Sequence, residues 1–303
     1  MFKFLLGFAV VIGFAGTGFA QNKFKDDADK AAYLQDISVT IHAGGAQGSG
    51  VIKTVKDTNY VWTCGHVVQH LRSTRTVIDS KSGSTKTIVE FADAKIVKEL
   101  IEDGRAVGKL EMDAEVLRYS DAENGEDLSL LRVRKKNFIK TSVNFYLDSK
   151  IPPVGSKLLH VGSLLGQMGS NSLTSGVMSQ HGRVYATKVY DQSTCAAFPG
   201  SSGGGVYLES DAKYVGMIVR GAGETFNLMV PVRRMELWAK HVKIGFTMDD
   251  SAVPTEEELR KSPIEDSGVV FHADPAKIAP PHAREKEFPF LIYLKDTQIP
   301  LIK

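Results

Sequence analysis

Cysteine is almost missing from this chain: among 303 residues only Cys64 and Cys195 occur, in no Cys-x-x-Cys pairing. That excludes a structural zinc site and a disulfide-rich scaffold, and both thiols are expected to be free and buried. An excess of charge is missing too. The 37 Lys and Arg nearly cancel the 35 Asp and Glu, leaving a formal charge of +2, too little field to grip nucleic acid or an anionic membrane. The eight histidines contain no His-Glu-x-x-His grouping, which argues against metal chemistry, and no cofactor is expected. Long apolar runs are scarce. Phe4 to Gly16 is thirteen residues without a charge, short of the ~20 that a helix needs to span hydrocarbon. With the basic opening Met1-Phe2-Lys3 before it and Gly18-Phe19-Ala20 after it, it reads as an export signal cut after Ala20. The expectation is a secreted or periplasmic protein with no stable membrane span once the signal is removed.

What the chain does have is turn chemistry: 28 Gly and 11 Pro, with 43% hydrophobic residues to bury. This composition tilts toward a β-rich fold. Strands are expected at Ile37 to His42, Gly50 to Val55, Tyr60 to Thr63, Thr87 to Phe91 and Leu128 to Arg134, with a hairpin turn at Asp103-Gly104 between Ile96 to Ile101 and Ala106 to Val116. After Pro152-Pro153 a second set follows: Leu158 to Gly162, Leu173 to Ser179, Arg183 to Val189, Val206 to Leu208, Tyr214 to Val219 and Phe226 to Val230. Two antiparallel β-barrels of similar size are the simplest arrangement, one over residues 21–140 and one over 141–245. Met235, Trp238 and Val242 recur at helical spacing, so Val232 to Val242 is expected as an amphipathic helix on the second barrel. Residues 246–303, with Glu256-Glu257-Glu258, Pro280-Pro281 and Pro289, read as an extended tail in which Phe288 to Tyr293 is apolar enough for a strand. The cluster Arg132, Arg134, Lys135 and Lys136 reads as a solvated strand end.

Three segments carry possible chemistry: Thr63-Cys64-Gly65-His66-Val67-Val68, Glu126-Asp127-Leu128-Ser129-Leu130-Leu131 and Pro199-Gly200-Ser201-Ser202-Gly203-Gly204. Acyl transfer needs a hydroxyl nucleophile, a base in reach, a carboxylate to fix the base's tautomer, and backbone donors for an oxyanion. Ser202, His66 and Asp127 supply the first three. The glycines around Ser202 allow a sharp turn that aims the N–H groups of Gly200 and Ser202 at one point. Asp113 and Asp121 are the next carboxylates that could take the acid's place. His160 and His181, in the second barrel, read as packed rather than reactive.

At these residues the chain resembles the trypsin-like serine proteases of the chymotrypsin fold, and within them the bacterial high-temperature-requirement branch. The resemblance extends over about Ile37 to Val242, through Gly48-Ser49-Gly50-Val51-Ile52, the run from Glu102 to Leu131, Leu173 to Ser179 with Gly182-Arg183, and Pro199 to Gly204. It implies an all-β, two-barrel fold of six-stranded type with a short C-terminal helix, a polypeptide substrate, a triad of His66, Asp127 and Ser202, and an oxyanion hole from Gly200 and Ser202. It also implies a specificity pocket walled by Ala196 and by Val219, Arg220 and Gly221. The chain departs from the family in a longer stretch between Leu71 and Asp93, in Ser201 where Asn or Asp is usual, and in Gly205 where Pro is common. That branch generally carries a PDZ domain after the protease, and the residues left here are too few and too Pro-rich for one. Two other readings compete. Gly200-Ser201-Ser202-Gly203-Gly204 also fits the nucleophile elbow of α/β-hydrolase esterases, which would need His241, His272 or His282 as base and helices alternating with strands around the serine. A protease fold kept as a binding module would show a lost nucleophile or base, and here all three residues are present.

Overall fold

The computed structural model describes residues 24–81, 83–221, 225–249 and 251–266. The expected export signal and the Phe288 to Tyr293 strand lie outside the described residues. In β1 (Ser38–Ala43) the apolar residues Val39, Ile41 and Ala43 alternate with Ser38, Thr40 and His42, the period of a strand with one apolar face. The polar face is covered as well, because Thr40 Oγ1 meets Ser163 Oγ of the second barrel at 2.5 Å.

β1 closes a six-stranded barrel with β2 (Ala46–Val55), β3 (Thr58–Thr63), β6 (Ala94–Glu102), β7 (Arg105–Tyr119) and β8 (Ser129–Val133), in the order β1-β2-β3-β8-β7-β6. The second barrel runs β10-β11-β14-β13-β12-β9, from β9 (Lys157–Leu164), β10 (Gly169–Tyr185), β11 (Lys188–Ser193), β12 (Gly205–Leu208), β13 (Tyr214–Gly221) and β14 (Asn227–Pro231). Closure removes the open sheet edges that would otherwise invite aggregation. The Asp103-Gly104 hairpin is present, with positive φ at both residues and Glu102 paired to Arg105. Arg183 to Val189, expected as one strand, is instead a hairpin: Ala186 and Thr187 take positive φ and Tyr185 pairs with Lys188. Neither residue is a turn former, and a β-branched Thr in that region is uncommon, so the sequence carries no signal for the reversal.

The stretch from Leu71 to Asp93 holds two strands rather than one. β4 (Arg72–Ile78) pairs with β5 (Thr85–Phe91) as a separate two-stranded arm. β4 has almost no buried side, so the alternation that marks a strand in sequence is missing.

The helix α3 (Val232–His241) buries Val232, Arg234, Met235, Trp238 and Ala239. Its Trp238 joins an aromatic chain between the barrels: Trp62 stands edge-on to Trp238 and Phe145, and Phe145 to Tyr214. Edge-on contacts of this kind add to the area they bury. One apolar cluster therefore runs through both barrels.

Two elements depart from expectation at the ends. Helix α1 (Asp27–Asp36), capped by the Asp26 carboxylate accepting from the Asp29 N–H at 2.8 Å, precedes the first barrel. Only Leu34 in it is fully buried, too little apolar periodicity to announce it. Within the expected extended tail, residues 246–249 and 251–266 form a strap packed against the body, with Phe246, Met248 and Leu259 buried. Within it α4 (Glu256–Lys261) starts at a capping box of Thr255 and Glu258. Tyr119 and Ile264, Asp266 and Tyr119 exchange backbone hydrogen bonds, and Trp238 Nε1–H donates to Asp266 at 3.0 Å. The polar composition concealed this because the few buried apolar residues follow no regular spacing and are supplemented by backbone hydrogen bonds and ion pairs.

Candidate active site

His66 lies in α2 (Gly65–Val68), a single turn that leaves β3. Only glycine is possible at position 65: a Cβ there would stand 2.1 Å from the Ser120 carbonyl oxygen and 3.4 Å from the Asp127 carbonyl carbon. That close approach brings the imidazole to the acid. His66 Nδ1 is 3.0 Å from both Asp127 carboxylate oxygens, and the His66 backbone N–H donates to Asp127 Oδ1 at 2.9 Å. Asp127 is fully buried and takes φ +54°, a left-handed conformation that Asp tolerates better than most residues. Burial pushes its carboxyl up, but the hydrogen bonds and charge of His66 outweigh this and hold it below the usual carboxylate range. An ionised Asp127 can only accept, so the ring proton sits on Nδ1 and Nε2 is left to take a proton. Asp113, by contrast, is paired with Lys95 at the surface, and Asp121 accepts from the N–H groups of Glu123 and Asn124.

Ser202 belongs to the loop before β12. The two barrels meet here through Gly48 and Ser49 of β2. The Ser49 N–H donates to the Ser202 carbonyl at 2.7 Å, and the Ser49 hydroxyl donates to the Gly200 carbonyl at 2.7 Å. A Cβ on Gly48 would lie 2.6 Å from Val67, the neighbour of His66, and 3.1 Å from the Ser202 carbonyl oxygen. Val67, next to His66, and the Ser202 carbonyl thus lie close to the same point on Gly48. Among the described residues no hydrogen bond joins the His66 ring to the Ser202 hydroxyl, a contact that often tightens only in the substrate complex.

Gly200 and Gly203 both have φ near +90°, which L side chains rarely adopt. The Ser201 N–H donating to Phe198 O at 2.9 Å and the Gly204 N–H donating to Ser201 O at 2.8 Å fold the loop back on itself. Ser201 Oγ accepts from the Phe198 N–H at 3.1 Å, so Ser201 closes this turn itself. Gly203 N–H donates to Ile218 O, and Gly204 N–H to Ser201 O. Among the described hydrogen bonds, no acceptor is assigned to the N–H of Gly200 or of Ser202, as donors awaiting an oxyanion would be.

Of the expected pocket residues, Val219 is buried, Ala196 half-buried, and Arg220 and Gly221 exposed. The Arg220 guanidinium stands 5.9 Å from the Tyr185 ring centroid. Asn227, which carried no sequence signal, reaches this region: its Nδ2 donates to the Cys195 carbonyl at 2.8 Å, and its Oδ1 lies 2.2 Å from where a Cβ on Gly221 would be.

The remaining expected groups fall outside the site. Cys64 and Cys195 are free and buried, and burial pushes both thiols up. Arg132 pairs with Glu115 and Glu256, Arg134 with Asp93 and Glu115, and Lys136 with Asp57; that basic cluster is largely neutralised. His70 stands four residues after His66, a spacing seen at zinc sites, but among the described residues no group of three His, Cys, Asp or Glu side chains could hold a metal. Nor is any helix among the described residues long and apolar enough to cross a membrane.

His160 is fully buried behind the Ser202 loop, with Nδ1 2.9 Å from the Gly205 carbonyl. Burial lowers its pKa to about 4. The folded protein therefore refuses a proton that an unfolded histidine, with a pKa of about 6.5, accepts. Stability is present above about pH 6.5 and is lost as pH falls toward 4. Between pH 7 and pH 4.5 the expected loss from this residue is about 2 kcal/mol, and His160→Gln should flatten that part of a urea-midpoint profile. An equal slope in the variant would assign the loss elsewhere.

A family model for the trypsin-like peptidase domain matches residues 48–217, a stretch holding His66, Asp127 and Ser202 and most of both barrels. The chain belongs to the trypsin-like peptidase domain family. A crystal structure of the serine endoprotease from Yersinia pestis is similar in fold, with a TM-score of 0.51 and 16% sequence identity over 73% of this chain and 67% of that one. The comparison with curated proteins gives no match.

Proposed function

We propose that this member of the trypsin-like peptidase family is an exported serine endopeptidase that cleaves polypeptides through an acyl-enzyme. The observation that carries the reading is the buried Asp127 bonded to His66, set across Gly48 and Ser49 from the Ser202 loop. Ser202 Oγ attacks the peptide carbonyl carbon while its proton passes to His66 Nε2. The N–H groups of Gly200 and Ser202 hold the resulting oxyanion. His66 then gives the proton to the leaving amine, and water repeats the sequence to release the acid. Asp127 keeps the ring in the right tautomer throughout. The basic opening, the uncharged stretch and Gly18-Phe19-Ala20 support export.

The test is a fluorophosphonate label on protein beginning at Gln21, followed by digestion of casein. Label on Ser202 together with casein fragments is expected. An inactive binder would not take the label, and an esterase would take it without cutting casein.

For the primary pocket the expectation is a small or medium apolar residue before the cut. Ala196 offers no carboxylate to pair with Lys or Arg, and burying a charge without a partner is costly. Arg220 is engaged with Tyr185, which supports an uncharged pocket. Sequencing the products of a proteome-derived peptide library should find cleavage after Val, Ala or Leu. Cleavage mainly after Lys or Arg would overturn this. Cleavage after acidic residues that disappears in Arg220→Ala would instead make Arg220 the reader of the substrate.

A further inference from the structure

The residue next to Asp127 is tied to the other barrel by a buried ion pair. Glu126 and Arg234 are 2% and 1% exposed, unusual for charged residues. Arg234, on the apolar face of α3, donates through Nε to Glu126 Oε2 at 2.5 Å, through Nη2 to the Glu126 backbone carbonyl at 2.7 Å, and through Nη1 to the Val189 carbonyl of β11 at 3.1 Å. Its guanidinium also lies 4.9 Å from the centroid of the Tyr190 ring. A second cation from β11 grips the same loop. Lys188 Nζ donates to the carbonyls of Ala122 and Glu123 at 2.8 and 3.0 Å. The loop itself is closed by Ser120 and Asp121, the Glu126 N–H donating to Ser120 Oγ and the Asp127 N–H to the Asp121 carbonyl.

The loop that ends in Asp127 is first-barrel chain, and yet its carbonyls are held by cations from the second barrel, the barrel that carries Ser202. We propose that Arg234, with Glu126 as its partner, is a positioning residue that fixes the Asp127–His66 couple in register with Ser202 across the junction of the two barrels. This rests on the triad reading above. The planar fork suits the task, since one rigid group reaches a side chain and two backbone carbonyls at once, which a lysine cannot do. Fixing a base to within a fraction of an ångström of its nucleophile is where distant packing enters a rate.

Removing Arg234 alone would leave Glu126 buried without a partner and could unfold the protein for that reason. The informative variant is therefore Glu126→Leu with Arg234→Met, which removes both charges and fills the space. Its thermal midpoint should stay near that of the wild type, while kcat falls about 10- to 100-fold with KM little changed. The rate of fluorophosphonate labelling at Ser202, which needs the couple but no peptide binding, should fall by the same factor. A folded double variant with wild-type kcat and labelling overturns the proposal. If that variant does not fold, Arg234→Lys decides: it keeps the charge beside Glu126 and loses the fork, and should label Ser202 at least ~10-fold more slowly. Labelling at the wild-type rate overturns the proposal. Ser202→Ala in the same assays separates the two claims: full activity there would remove the triad reading itself, whatever Arg234 does.

Discussion

Ser202→Ala is expected to lower turnover by about 10⁴-fold or more with the fold unchanged. The substitution deletes one hydroxyl oxygen, and no described hydrogen bond depends on it, because the loop is held through the Ser202 carbonyl and its neighbours. His66→Ala should cost about as much, since a nucleophile without its base gains nothing from the rest of the triad. Asp127→Asn tests the finer point. The carboxylate accepts from the His66 backbone N–H and faces Nδ1 with both oxygens. A carboxamide has one acceptor oxygen, and an NH₂ turned toward Nδ1 would force the ring proton onto Nε2, where a base is needed. The geometry would survive and the rate would fall by about 10⁴-fold. Near-wild-type turnover in Asp127→Asn would contradict the assignment.

The legible parts of the fold were those where one physical signal acted alone. β1 could be read from alternation, the β6–β7 hairpin from Asp103-Gly104, and α3 from the spacing of Met235 and Trp238. Elements escaped where tertiary contact replaced local pattern. β4 has no buried face to alternate. The Ala186-Thr187 turn is imposed by its strands, and the strap after Gly245 joins buried Phe246, Met248 and Leu259, which follow no regular spacing, to contacts with the Tyr119 backbone, Arg118 and Arg72. At the site, His66, Asp127 and Ser202 stood in motif-like segments. Ser49, which bonds two carbonyls of the Ser202 loop region, stood in the Gly48-Ser49-Gly50 segment without a sign of that role, and Asn227 stood in none, because a lone Asn has no pattern of its own. Arg234 did leave a trace: it is a cation four residues before Trp238, on the buried side of an amphipathic helix, and such a residue requires a partner.

Gly200→Ala should lower kcat by about 10²- to 10³-fold, the cost of losing one oxyanion donor. Gly200 takes φ +97°, and an added Cβ would stand 2.3 Å from the Ser163 carbonyl oxygen and 2.6 Å from the Gly166 nitrogen. Both are backbone atoms, so neither can rotate aside. The Gly200 carbonyl is meanwhile held by the Ser49 hydroxyl at 2.7 Å and the Pro199 carbonyl by the Leu165 N–H at 2.8 Å, so relief of the clash has to turn the Pro199–Gly200 peptide against that bond. Its N–H is the proposed donor. The N–H would swing away from the point it shares with Ser202, while His66, Asp127 and Ser202 keep their places. Gly155→Ala is the matched control, because Gly155 has φ +89° with nothing within 4 Å of its Cβ position. It carries the same backbone strain, of order 1 to 3 kcal/mol, and should lose stability without losing kcat. If Gly200→Ala proved folded and as active as Gly155→Ala, the oxyanion would have to be held by other donors. A kcat loss confined to a folded Gly200→Ala would identify the N–H that its glycine conformation presents.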